Sequence, residues 1–125
     1  MNAKMLVMVS AGAEAITGIS LVAVPQFLAK VLLGADLADS GIAIARLTGV
    51  ALLSLGLACW PSSEGAGTNG LRALSAYNLL TAFYLVYLRL GGGFDGLLLW
   101  PTCALHALLA ALLTHSLFFD RSRAE

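Results

Sequence analysis

Glu14, Arg46, Asn78 and His106 each interrupt a long apolar run, one in each of four such runs. A carboxylate, a guanidinium, an amide and an imidazole among aliphatic side chains are costly unless they are paired or put to use, so each is a candidate for ligand binding or proton handling. Helical spacing predicts that all four point inward. Glu14 has Ser10, Ala11, Thr17 and Gly18 one turn away on either side, Arg46 shares its stripe with Gly49 and Gly56, Asn78 with Ser75, Thr81 and Ala82, and His106 with Thr102, Cys103 and Ala110. Small neighbours let helix backbones approach, which is how membrane helices associate. Counting about 1.5 Å per residue from alternating sides sets Glu14, Asn78 and His106 within a turn or two of mid-bilayer, with Arg46 nearer one face. Glu14 is therefore expected to meet Arg46, Asn78 or His106. Two uses stay open: a polar cluster that only ties the helices together, or a carboxylate and imidazole that hold a proton or a ligand. Tyr77, Thr81 and Tyr84 form an i, i+4, i+7 stripe, so a Tyr77 or Tyr84 hydroxyl with His106 could also hold a quinone carbonyl.

The elements that would carry these residues follow from composition. Of 125 residues 59% are hydrophobic and 11% charged, with a mean hydropathy of +0.88. Seven basic and seven acidic side chains cannot cover a soluble surface of this size, and a net charge of zero leaves no excess for gripping nucleic-acid phosphates. Apolar stretches at about 5–24, 42–60, 71–88 and 97–118 are each long enough to span a bilayer, the third reading as the shortest. No stretch alternates with period two, which disfavours a barrel. Pro25 is expected to close the first helix, and Gln26 to Leu37 reads as a short amphipathic segment lying on the membrane. Pro61 to Gly70 is a flexible polar link, and residues 91–96 form a tight glycine-rich one without the Lys and Ser or Thr of a phosphate loop. Glu14 breaks what would otherwise pass for the apolar core of a signal peptide, so the first helix is expected to stay. The expected fold is all-α, a single domain over residues 1–125: an integral membrane four-helix antiparallel bundle with a short interfacial helix after the first span. Four spans put both termini beside the Pro61 to Gly70 link, with Lys4, Arg72, Arg121 and Arg123 on that side and Lys30 and Arg89 opposite once Arg46 is taken as intramembrane. That asymmetry places both termini in the cytoplasm of a cell whose inner membrane holds the chain.

Other chemistries are disfavoured. His115 follows His106 by nine residues, about 900° of helix, so the two face apart and cannot share a metal, and two facing imidazoles for a haem are missing. Cys103 and His106 alone are too few ligands for zinc, and Cys59 and Cys103 lie at depths too different for a disulfide. No Ser-His-Asp arrangement and no GxGxxG occurs. The chain is expected to be no enzyme, to hold no metal or cofactor, and to have as partners the lipid bilayer and either a membrane complex or further copies of itself, without nucleic acid.

The second span, Arg46-Leu47-Thr48-Gly49 continuing to Gly56, resembles the Arg-x-x-Gly opening of the DoxX-like small bacterial membrane proteins. With Ala76-Tyr77-Asn78 in the third span and Trp100-Pro101 opening the fourth, the whole chain looks like a branch near that group. The resemblance implies a four-helix membrane fold and a link to quinone or thiol redox systems, and it carries over no catalytic residue. Ala13-Glu14-Ala15-Ile16 is similar to the first-helix segment of the small multidrug resistance transporters, which implies a proton-coupled role for Glu14. The Trp and Gly pattern of that family's later helices does not recur here. These readings favour a non-enzymatic accessory or small-ligand-binding component, with a proton-coupled transporter using Glu14 and a quinone-binding redox accessory as rivals.

Overall fold

The computed structural model describes residues 2–121, and within them the chain is all-α. Its helices are α1 (Ala3–Ala23), α2 (Pro25–Leu33), α3 (Asp39–Ala58), α4 (Thr68–Leu90) and α5 (Leu99–Arg121). The side chains of Arg121 and Arg123, which entered the charge count, lie outside the described residues. α1, α3, α4 and α5 are each long and apolar enough to cross a membrane, as the four apolar stretches require. The expected third span is not the shortest: α4 has 23 residues. Thr68, Asn69 and Gly70 look like loop by composition, yet they form its first turn directly after Gly67, whose φ of 70° turns the chain into the helix.

α1 ends at Ala23, its cap Val24 directly before Pro25, as a closing proline requires. Pro25 also opens α2, at the position where a missing N–H leaves nothing unsatisfied, and Val24 separates the two helices. α2 is more firmly held than a segment resting on a bilayer. Pro25 and Ala29 are buried, and the Val31 carbonyl near its end accepts from the Leu98 amide at 2.8 Å. The Gln26 side chain donates to the Leu37 carbonyl and accepts from the Leu37 amide, both at 2.9 Å, closing the turn into α3. Gly96 lies against the α2 backbone so closely that a Cβ would overlap the Leu32 carbonyl. Phe27 and Lys30 face outward, the latter bridged to Asp36 at 2.9 Å.

The long helices form two intimate pairs. α1 and α3 run antiparallel in glycine contact: a Cβ on Gly18 would lie 2.6 Å from the Gly49 carbonyl oxygen, and one on Gly56 would lie 2.6 Å from that of Ala11. α4 and α5 form the second pair, crossed by a Cys103 thiol contact to the Ala82 carbonyl at 3.6 Å. The pairs meet mainly through α1, which touches both α4 and α5, whereas α3 has at most marginal contact with either. Leu6, Val7, Ala11, Cys59, Leu71, Leu74, Leu109 and Leu113 make an apolar cluster near the N-terminus and the α3–α4 link. Leu85, Leu99 and Cys103 make another toward the α4–α5 turn, with Leu33 and Phe94 against it. Both cysteines are free and buried.

Candidate functional site: a polar layer between α1, α4 and α5

Between the two apolar clusters lies a layer of polar side chains. α1 contributes Ser10 and Glu14, one turn apart and both buried. α4 contributes Ser75, Tyr77, Asn78 and Thr81, and α5 contributes His106. Asn78 is the hub. Its Nδ2 donates to the Leu74 carbonyl at 2.8 Å and to Ser10 Oγ at 2.9 Å, and its Oδ1 lies 2.8 Å from His106 Nδ1. A carbonyl can only accept, so the Leu74 contact fixes which end of the amide carries the hydrogens. Oδ1 is then an acceptor, and His106 Nδ1 must be the protonated nitrogen. In the neutral ring this leaves Nε2 as an acceptor.

Glu14 stands beside this hub without joining it. The Tyr77 hydroxyl makes hydrogen-bonding contact with the Glu14 carboxyl and with Thr81. The Tyr77 ring meets the His106 ring edge-on, centroids 5.9 Å apart at 75°. Glu14 is 1% exposed, and its Oε1 has no hydrogen-bond partner. The buried Ser75 Oγ is likewise unpartnered. Tyr77 and His106 are only half-buried, so the layer reaches the flank of the helix pairs on their side.

Four of the five expected site residues, Glu14, Tyr77, Asn78 and His106, thus come together, and Arg46 does not. Arg46 is exposed on α3 and makes no ion pair or hydrogen bond among the described residues, so its expected inward orientation and its pairing with Glu14 are wrong. The stripe of α3 that meets α1 is Gly49, Leu52 and Gly56. Arg46 precedes Gly49 by three residues, about 60° short of a full turn, which sets it past the edge of that stripe. Glu14 meets Tyr77 in place of the three expected partners. Tyr84, the other hydroxyl considered for a quinone, is exposed and stacked on Tyr87 with centroids 6.1 Å apart. His115 faces outward and stacks on Phe119. Ser10 and Ser75 entered the sequence reading only as small neighbours. Their hydroxyls belong to the layer, and the i−4 and i−3 spacings to Glu14 and Asn78 were the available signal.

Compared with known proteins, the chain matches no family model, no curated protein and no solved structure.

Proposed function

We propose that the chain is a non-enzymatic, multi-pass membrane component, its four long helices inserted as a bundle, that binds a small ligand at the polar layer through Glu14. One observation carries the reading. A carboxyl oxygen at 1% exposure has no partner while the Asn78 amide beside it is fully engaged. A residue kept only to tie helices together would have its hydrogen bonds satisfied internally, since a buried unpaired polar oxygen costs about 1–3 kcal/mol. The free groups of the layer also limit the ligand. Glu14 Oε1 and, in neutral His106, Nε2 can accept, and the unpartnered Ser75 hydroxyl can donate, so the layer offers a ligand two acceptors and one donor.

A second reading, proton-coupled transport of a small molecule, is favoured by where the layer lies. It occupies the slim contact between the α1–α3 and α4–α5 pairs, the surface along which two halves could rock to open the site to alternate sides. The DoxX-like kinship belongs to the proposal as well. It rests on Arg46-x-x-Gly49, whose glycine serves here the close approach to α1. Placement in an inner membrane belongs to the same proposal, and the charge asymmetry supports cytoplasmic termini. The direct test is chemical. An apolar carbodiimide added to the protein in lipid nanodiscs takes up a carboxyl group it can reach as an O-acylisourea, which rearranges in a dry site to a stable N-acylurea of the same mass, read as one adduct by intact mass. Wild type is expected to carry the adduct on Glu14 and Glu14→Gln to lack it. A wild-type Glu14 that stays unmodified under prolonged exposure would mean a sealed structural layer and would remove the binding reading.

A further inference from the structure

Asp39 and Arg46, the two charged side chains of α3, are both exposed, and neither has an ionic or hydrogen-bond partner among the described residues. Seven residues separate them. That is about 700° of rotation, within about 20° of the same face, and about 10 Å of rise. The face is otherwise greasy, with Val50 and Leu57 exposed along it, and it lies about a quarter turn to the side of the stripe of Gly49, Leu52 and Gly56 through which α3 meets α1. The level of these charges can be placed against α4, because Gly70 at its start packs on Cys59 at the end of α3. From that shared level Asp39 lies about 30 Å down α3 and Arg89 about 28 Å down α4, whereas Arg46 lies only about 20 Å down. On the membrane reading, Asp39 and Arg89 therefore mark the interface and Arg46 sits inside it.

An arginine facing lipid at that depth is costly unless its head returns to the interface. Helical side chains lean toward the N-terminus of their helix, and for Arg46 that direction leads toward Asp39. The result is a vertical pair on one face, with a cation deeper and an anion shallower. A zwitterionic headgroup has the complementary order, its phosphate deeper and its ammonium shallower. We propose that this face of α3 is the site of one phospholipid bearing a primary ammonium headgroup, in which the Arg46 guanidinium holds the phosphate and the Asp39 carboxylate accepts from the ammonium, with an acyl chain along Val50 and Leu57. Arg46 suits a phosphate because its planar fork donates two parallel N–H bonds. A carboxylate from another protein could satisfy Arg46 but would leave Asp39 without a counterpart.

The inference rests on the membrane reading, and the two fail differently. Full-length protein is to be exchanged into detergent micelles containing equal amounts of phosphatidylethanolamine, phosphatidylcholine and phosphatidylglycerol, and retained lipid counted by native mass spectrometry. Wild type is expected to keep one phosphatidylethanolamine per chain, several-fold over either competitor. Arg46→Gln should reduce all retention to background. Asp39→Asn should keep phospholipid bound while erasing the preference for the primary ammonium. Both positions are exposed, so unchanged helicity by circular dichroism is expected to accompany these losses. Equal retention of the three lipids by wild type, or undiminished retention by Arg46→Gln, would overturn the proposal. Displacement of the lipid by excess inorganic phosphate would point to a free-anion site, and an oligomer that Arg46→Gln dissociates without changing lipid retention would point to a second copy; either outcome overturns it. Release of the chain from membranes by alkaline carbonate would instead remove the membrane reading itself.

Discussion

Asn78 uses every hydrogen-bonding group it has inside the protein, and that completeness distinguishes it from Glu14. Replacing Asn78 with Leu strands Ser10 Oγ and His106 Nδ1 in a buried layer. Hydrogen bonds between membrane helices contribute roughly 0.6–2 kcal/mol each, so Asn78→Leu is expected to lower stability by about 1–3 kcal/mol in an SDS-titration unfolding experiment. The same hub fixes the His106 tautomer. Nitrogen-15 shifts of the neutral ring are expected to report a proton on Nδ1 in wild type and a mixture of tautomers in Asn78→Ala. A wild-type ring protonated on Nε2 would reverse the acceptor assignment on which the choice of ligand depends. Much of this layer was legible in the sequence, because a polar residue in an apolar helix announces itself and the turn around Glu14 is small on every side. The partners were less so. Which of Tyr77, Asn78 and Arg46 reaches Glu14 depends on how helices are rotated against one another, and single-helix spacing does not contain that angle. Arg46 shows the limit: nearness to Gly49 suggests an inward side chain, yet the α1-facing stripe excludes it by a fraction of a turn.

The two helix pairs are built differently, and the difference is testable. α1 meets α3 backbone to backbone, so a single methyl group at Gly18 or Gly56 would collide with carbonyl oxygens that cannot move without parting the helices. Gly18→Ala and Gly56→Ala are each expected to cost about 1–3 kcal/mol by the same unfolding assay. Gly12→Ala is the control, since a Cβ there would meet only the Trp60 ring at an ordinary 4.0 Å, and it should be neutral or slightly stabilising. A neutral Gly18→Ala would mean that α1 and α3 are farther apart than described. The apolar periodicity made the four long helices readable to within three residues at each end, and the ends that moved have local causes. Polar Thr68 and Asn69 resemble a loop but start α4, and Pro25, which stops α1, also begins α2. The wedge of α2 against Gly96 was beyond the sequence altogether, because it joins segments more than 60 residues apart through backbone contact.

Taken together, the four long helices divide into two pairs that share α1 as their hinge of contact, with the unsatisfied Glu14 at the boundary. The N-terminal end of α1, the α3–α4 link and the C-terminal part of α5 line one cavity of about 540 Å³, so these segments share one end of the molecule. A cysteine introduced at Glu64 in the link and one at Asn2 are accordingly expected to react with an impermeant thiol reagent from the same side of sealed vesicles, and opposite labelling would contradict four spans. On the binding proposal Glu14 is kept at a cost to stability, which the unfolding free energy of Glu14→Leu against wild type in lipid micelles measures. Leu has similar bulk and removes a buried oxygen that nothing satisfies, at the loss of one contact with Tyr77, which keeps Thr81, so stability is expected to be unchanged or raised by about 1 kcal/mol, together with loss of the carbodiimide adduct. A fall as large as that of Asn78→Leu would show that Glu14 holds the helices together and would contradict the account.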